Sequence, residues 1–170
     1  MATLDLAGTV RTWRAADHRT RFLQVVQPGL IGLIDGTVST LAPIFAAALV
    51  AGSRAALLVG LAAALGAAIS MGMSEGLSDD GSISGRGGAL ARGLVTGGAT
   101  FVGGALHALP FLIPHLNAAL ALAGTLVAVE LVVIAVVRWR YLRVSLTRSM
   151  VQVTAGGILV ALVGVAVGHA

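Results

Sequence analysis

Two acidic residues lie within long apolar stretches of the sequence. Asp35 interrupts the apolar run 29–51, which is long enough to cross a bilayer, and Glu130 lies in the run 116–137. A hydrocarbon core of about 30 Å needs about 20 apolar helical residues. An acid near its centre costs about 3 kcal/mol on insertion scales. Such residues indicate an ion or proton site when other segments bring partners to the same depth.

A methionine and a glutamate follow in the next apolar run. Met71 and Glu75 are four residues apart, so they share one helical face. Carboxylate oxygens bind Mn(II) or Fe(II), and a thioether sulfur biases a site against Mg(II) and Ca(II). Because carboxylates must be ionised to bind metal, release of the ion would couple to protons. From the residues alone, metal transport, a proton relay and acids paired with arginine all remain open.

The elements that would position these side chains are predicted to be membrane-spanning helices. Of 170 residues, 57% are hydrophobic and 11% are charged, which is typical of an integral membrane protein. We expect an all-α membrane domain over 28–170, preceded by a cytoplasmic amphipathic segment, 1–27, without a cleavable signal peptide. The five predicted spans are about 28–51, 55–77, 90–112, 116–137 and 150–168.

The connections between the spans are predicted from breakers and charge. A tight turn is expected at 52–54, a polar Gly/Ser loop at 78–88 and a basic, aromatic interfacial loop at 138–148. Pro43 predicts a kink or a break within the first span. Ten of the eleven arginines fall on the cytoplasmic side when the N-terminus is inside, leaving only Arg54 outside. The positive-inside rule therefore predicts a cytoplasmic N-terminus and an external C-terminus.

This topology brings three side chains to one layer. At a rise of 1.5 Å per residue, Asp35 lies about 10 Å below the cytoplasmic end of the first span. Met71 on the second span and Glu130 on the fourth lie within about one turn of that depth. Glu75 lies one turn nearer the cytoplasm.

Composition excludes several other classes of function. The chain has no cysteine, so disulfides, thiolate metal ligands and a cysteine nucleophile are excluded. Topology explains the net charge of +4 better than nucleic-acid binding does. We expect no enzyme, because no nucleophile and base pair, phosphate loop or haem-type histidine pair is apparent.

The motifs GLIDGTVSTLAPIFAAALVAG and LGAAISMGMSEGLSDDG resemble the first two spans of the vacuolar iron transporter family. Similarity to the membrane half of the bacterial membrane-bound ferritins, a branch of that family, continues through RGLVTGGATFVGGALHALPFLIP and VELVVIAVVRWRY. The resemblance covers about 28–168. It implies a five-helix homodimer in a bacterial inner membrane that exports Fe2+, and Mn2+ as a second candidate, in exchange for protons. It implies no permanently bound cofactor.

By position, the resemblance places Asp35, Met71, Glu75 and Glu130 along a metal-translocation path. Asp35 and Met71 would bind the ion, Glu75 would receive it at the cytoplasmic mouth, and Glu130 would complete the site or couple it to protons. The chain departs from the family pattern at two positions where an acid is common, having Pro28 and Ala63 there. We expect the loop 78–92 in place of the family's Glu-rich cytosolic domain, and no ferritin-like domain within the 27 residues before the first span. Metal loading would then rely on Glu75, Asp79 and Asp80, or on a separate iron-storage or metal-delivering protein.

Other readings of these residues stay open. His107 is expected at the outer interface, where an exit-side metal contact is an alternative, and Asp79 and Asp80 could simply form a solvated turn. Asp35 could cap a helix or pair with an arginine, Met71 could be a packing residue, and Glu130 could be structural. The competing functions are transport of another ion, such as Ni(II), Co(II) or protons, and a non-transporting scaffold module of the same family.

Overall fold

The computed structural model describes residues 18–170, and every regular element in that range is helical. Four helices there are long and apolar enough to cross a membrane. The all-helical class is therefore confirmed, and these helices suit a membrane by length and composition, while five crossings, their direction and the dimer remain predictions. The elements are one helical turn at His18–Arg21, a π-helical turn at Phe22–Val26, α1 (Gln27–Ser78), α2 (Ala89–Ala108), a 3-10 helix at Leu109–Leu112, α3 (Leu116–Leu142) and α4 (Leu146–Gly168).

Gly52 divides α1 into two helices that pack side by side. Its φ of 80° and ψ of −173° lie in a region that essentially only glycine occupies. On one straight helix, Ile44 and Gly60 would be about 24 Å apart. A methyl group at Gly60 would instead lie 2.8 Å from Ile44 Cγ1. The chain therefore reverses at Gly52, within the predicted turn, and we call residues 27–51 α1a and residues 53–78 α1b.

Two predicted irregularities differ from the structure. A break at Pro43 is absent, because Gly52 is the residue of α1 with non-helical torsion angles. Membrane helices tolerate proline where neighbouring helices and local adjustments satisfy the freed carbonyl. The loop predicted at 138–148 is also shorter: α3 continues to Leu142, Arg143 adopts left-handed angles, and the hydroxyl of Ser145 caps α4.

Segments α1a and α1b both pack against α2, one parallel and one antiparallel to it. Residue numbers rise together along α1a and α2, since Gly36 lies against Thr100 and Thr40 against Gly104. The segment α1b runs the opposite way, because Gly104 also contacts Ala64. Glycine and alanine allow these backbones to approach closely, which replaces the hydrophobic drive that lipid does not provide.

The interior changes character from one end of the bundle to the other. A cluster of apolar residues, most of them alanine, occupies the end near Gly52, and ion pairs occupy the end near Ser78. Buried threonines lie between them. The apolar cluster comprises Ile44, Ala48, Ala56, Ala108, Phe111, Ala119 and Ala123.

Candidate functional site

Asp35 is a half-buried residue of α1a whose carboxylate has no partner in the described part of the chain. Ile31 and Ser39, one turn away on either side, are exposed. The hydroxyl of Ser39 donates to the backbone carbonyl of Asp35 at 2.7 Å, not to its carboxylate. Across residues 18–170, no hydrogen bond or ion pair reaches the carboxylate. The carboxylate is therefore available to water, to a cation or to a group of another molecule.

Met71 lies on α1b about one turn from the level of Asp35 along α2. Its neighbour Gly72 packs against α2 between Gly93 and Gly97. Asp35 precedes Gly36, which packs against Thr100 one turn further along α2. Met71 is half-buried, and an offset of about one turn corresponds to about 5 Å along the axis. The two side chains are thus available at one layer on two helices that both contact α2.

Glu75, predicted at the cytoplasmic mouth, is held by two arginines. Arg92 Nε donates to Glu75 Oε1 at 2.8 Å, and Arg86 Nη2 lies 2.7 Å from the same oxygen. Asp79 Oδ2 lies 3.6 Å from Arg92 Nη2 and 3.8 Å from Arg86 Nη1. The cluster of Glu75, Asp79, Arg86 and Arg92 has two negative and two positive charges. Its net charge is therefore zero, and an arriving metal ion would compete with both guanidinium groups for Glu75.

Arg92 is the centre of this cluster. Its side chain is 0% exposed, and besides Glu75 it donates to the backbone carbonyls of Asp79 and Gly87. A guanidinium group presents five N–H donors in a rigid fork, which here joins the end of α1b, the 79–88 loop and the start of α2. Arg92 thus links the 79–88 loop to the end of α1b and the start of α2.

The two aspartates of the loop accept hydrogen bonds that stabilise its turn. The hydroxyl of Ser84 and the backbone N–H of Gly81 donate to Asp79, and these bonds hold the pKa of Asp79 below its usual range. Hydrogen bonds from the backbone N–H and the side chain of Ser82 lower the pKa of Asp80 in the same way. Asp80 is exposed. Both residues favour the solvated-turn interpretation, and metal entry there remains a prediction.

Glu130 and His107 meet inside the bundle. His107 Nε2 on α2 lies 2.6 Å from Glu130 Oε2 on α3, and the side chains are only 1% and 7% exposed. The distance is that of an ion pair, but the directions of the groups do not form a hydrogen bond. His107 is thus buried between helices, and the interfacial depth and exit-side metal contact expected for it stay predictions. His115, by contrast, is exposed.

The buried face of α2 carries four polar side chains. Arg92, Thr96, Thr100 and His107 are all buried and recur at helical spacing on that face. The hydroxyl of Thr100 donates to the carbonyl of Thr96 at 2.9 Å, whereas the Thr96 hydroxyl has no partner within the described part of the chain. A polar line thus runs from the charged cluster to the histidine.

The four predicted path residues therefore separate into three places. Asp35 and Met71 share a layer, Glu75 belongs to the charged cluster, and Glu130 pairs with His107. Between residues 18 and 170, no group of three or more His, Asp or Glu side chains is arranged to hold a metal ion. Sequence reasoning missed the roles of Arg92 and His107, although their shared spacing along α2 was a signal for both.

Comparisons with known proteins identify no relative of this chain. No family model, no curated protein and no solved structure matches it.

Proposed function

We propose that this protein exports a divalent transition metal, Fe2+ with Mn2+ as a second candidate, from the cytosol of a bacterium in exchange for protons. The observation that carries the proposal is the Asp35 carboxylate, which lies within an apolar helical run and has no partner among residues 18–170. A carboxylate retained in an apolar span indicates an ion path. The resemblance of the first two spans to the vacuolar iron transporters points to the same chemistry.

A five-span topology with a cytoplasmic N-terminus supports this direction of transport. The reversal at Gly52 turns α1 into two antiparallel helices, each about 25 residues long and sufficient for one crossing. With α2, α3 and α4 they make five spans. Arg54 would lie outside, while Arg86, Arg92 and Arg138 would lie at the opposite end, as the positive-inside rule requires. The cytoplasmic end would then carry the charged cluster of Glu75, Asp79, Arg86 and Arg92.

The ion would bind between the Asp35 carboxylate and the Met71 sulfur. One oxygen donor and one sulfur donor do not complete the coordination of a first-row metal, so further ligands are needed. A homodimer with two-fold symmetry brings the same residues from both copies to one axis, and the half-exposed face of α1a bearing Asp35 is available for that contact. Two carboxylates and two thioethers would favour Fe2+ or Mn2+ over Mg2+ and Ca2+.

The cytoplasmic mouth would admit metal past the charged cluster. Glu75 can bind the ion only when Arg86 or Arg92 releases it, because both guanidinium groups contact its Oε1. Asp80 is exposed at the same end and would meet the ion first. A separate iron-storage or metal-delivering protein would dock there.

Uptake into proteoliposomes tests the proposal. Purified protein is reconstituted with Fe2+ kept reduced, or with Mn2+, and the pH of each face is set. We expect metal movement that follows the proton gradient and is lost in Asp35→Asn, which preserves side-chain size. Asn117→Asp, which adds an acid near the outer end of α3, is the matched control and should transport normally. Gradient-dependent transport at the wild-type rate in Asp35→Asn would refute the site.

A scaffold module of the same membrane class is the second candidate. It is favoured by the neutralisation of Glu75 by two arginines, since a metal receptor would keep that carboxylate free. Equilibrium binding of Mn2+ to the purified protein discriminates between the two. Binding that requires Asp35 supports the exporter, and absence of binding in folded protein supports the scaffold.

A further inference from the structure

Four arginines lie close together in the sequence where α3 ends and α4 begins. Arg138 and Arg140 are near the end of α3, Arg143 is in the connection, and Arg148 is in the first turn of α4. Residues 131–170 contain no acid. The ion pairs in the described part of the chain involve none of these four arginines. Their charges are therefore not neutralised by any residue that the structure describes.

A hydrogen bond between α3 and α4 brings two of these arginines to one face of the protein. Arg138 Nη2 donates to Gln152 Oε1 on α4 at 2.8 Å. Arg148 is four residues before Gln152 on α4, so the two side chains share one face of that helix. Both Arg148 and Gln152 are exposed. Arg138 and Arg148 thus lie beside the same amide, and we call this surface the Arg138–Arg148 face.

The same side of α4 becomes apolar toward the middle of the helix. Ala155 and Leu159 follow Gln152 at helical spacing, and both are exposed, Leu159 by 64%. Leu159 is 11 residues from Arg148, or about 16 Å along the axis. That length is about half of a hydrocarbon core of about 30 Å. A charged end followed by an apolar stripe one leaflet long has the polarity of a phospholipid.

We propose that the Arg138–Arg148 face binds an anionic phospholipid of the adjacent leaflet. The phosphate lies between the two guanidinium groups, and an acyl chain lies along Ala155 and Leu159. Guanidinium groups match the geometry of phosphate oxygens, and basic sites between transmembrane helices bind anionic headgroups. The proposal goes beyond metal transport and does not depend on it.

Charge disfavours a second copy of the chain as the occupant of this face. A two-fold contact through it would bring the same arginines of both copies together. Residues 131–170 supply no acid to separate them, and like charges in a contact are repulsive. Arg86 and Arg92, by contrast, are already paired with carboxylates of their own cluster. An anionic lipid supplies the missing negative charge and an apolar chain together.

Fluorescence quenching by brominated lipids tests the proposal. The chain has two tryptophans, Trp13 and Trp139, which are replaced with phenylalanine before Ala155→Trp is introduced. Vesicles of phosphatidylcholine contain either brominated phosphatidylglycerol or brominated phosphatidylcholine with the same acyl chains. The ratio of the two association constants measures the lipid preference beside Ala155. We expect a ratio of about 30 in favour of phosphatidylglycerol, since each arginine strengthens binding about fivefold.

A tryptophan at Ile69 in the same background is the control for position. Ile69 is 62% exposed and lies nine residues from the end of α1b, as Ala155 lies nine residues from the start of α4. Ile69→Trp should show a ratio of about 1, because no arginine pair flanks that stripe. Equal ratios at the two positions would overturn the proposal. Quenching at Ile69 but by neither lipid at Ala155 would also overturn it, since protein would then cover the face.

Replacing the arginines tests the headgroup contact. In the Ala155→Trp protein, Arg138→Gln with Arg148→Gln should lower the ratio from about 30 to about 1. Arg19→Gln with Arg54→Gln removes two exposed arginines elsewhere and should leave the ratio unchanged. A preference for phosphatidylglycerol that survives loss of both Arg138 and Arg148 would refute the site.

A salt series needs no change to the arginines and so covers a variant that folds poorly. The Debye length shortens from about 10 Å at 0.1 M salt to about 3 Å at 1 M. The ratio measured at Ala155 should therefore fall toward 1 as sodium chloride is raised over that range. A ratio that does not change with salt would contradict recognition of the headgroup by charge.

Discussion

Gly36 provides the sharpest test of the packing that positions Asp35. A methyl group at Gly36 would lie 2.1 Å from the Thr100 carbonyl oxygen, whereas ordinary contact begins at 3.4 Å. The difference, 3.4 − 2.1 = 1.3 Å, must be made up by moving α1a away from α2. The atoms in the way belong to the backbone of Thr100, so no side-chain rotation relieves the clash.

The expected cost of Gly36→Ala follows from two opposing effects. Overpacking costs about 1–3 kcal/mol, and a backbone clash belongs at the upper end of that range. Replacing a helical glycine with alanine raises the free energy of unfolding by about 1 kcal/mol through helix propensity. We therefore expect a net loss of about 2 kcal/mol in the free energy of unfolding.

Gly98→Ala is the matched control on the facing helix. Nothing lies within 4 Å of a methyl group at Gly98, so only the gain of about 1 kcal/mol in helix propensity remains. Unfolding by SDS in mixed micelles should separate the two variants by about 3 kcal/mol, given these opposite effects. Equal stability of Gly36→Ala and Gly98→Ala would refute the close approach of α1a and α2.

Three further outcomes are expected. Arg92→Met should lower the free energy of unfolding by about 3–5 kcal/mol, because it leaves Glu75 and two carbonyls without their buried donor. The control Arg86→Met, at a partly exposed site, should cost less. Equal losses in SDS unfolding would contradict the central role of Arg92. Gly52→Ala should cost about 1–3 kcal/mol through backbone strain, measured against Gly66→Ala, which meets no atom within 4 Å. Hydrogen bonds lower the pKa of Asp79, so its stabilisation of the 79–88 loop is fully present above the ordinary aspartate pKa. That stabilisation is lost as pH falls through the lower folded value, below about pH 4. Limited proteolysis at pH 3 and pH 6 should show loop opening at the lower pH in wild type and a smaller pH effect in Asp79→Asn.

The sequence predicts the helices far better than it predicts the side-chain pairs. Long apolar runs and glycine breakers mark the elements, since lipid permits helices and penalises unpaired backbone. The turn at Gly52 follows from the same reasoning. The loop predicted at 138–148 is longer than the observed one, because arginine and aromatic residues indicate an interface without ending a helix.

The pairing of charged residues depends on helix contacts that single-chain patterns do not show. Arginine counting places Arg92 near the membrane surface, but its burial against Glu75 results from the close packing of Gly72 on α1b and Gly93 on α2. The prolines that follow His107 predict an interfacial position without indicating which side of the helix the imidazole occupies. Its spacing from Arg92 and Thr100 places it on the same helical face and so predicts the burial that the structure shows.

The reversal at Gly52 has a consequence for how the protein enters its membrane. If α1a and α1b both cross the membrane, a turn of one non-helical residue leaves so short a connection that we expect the two helices to insert together as one helical hairpin. Asp35 weakens the insertion of α1a by itself, and the apolar α1b compensates within the same unit. A reporter tag inserted after Gly52 would separate the two helices and report on biogenesis, not on the native topology.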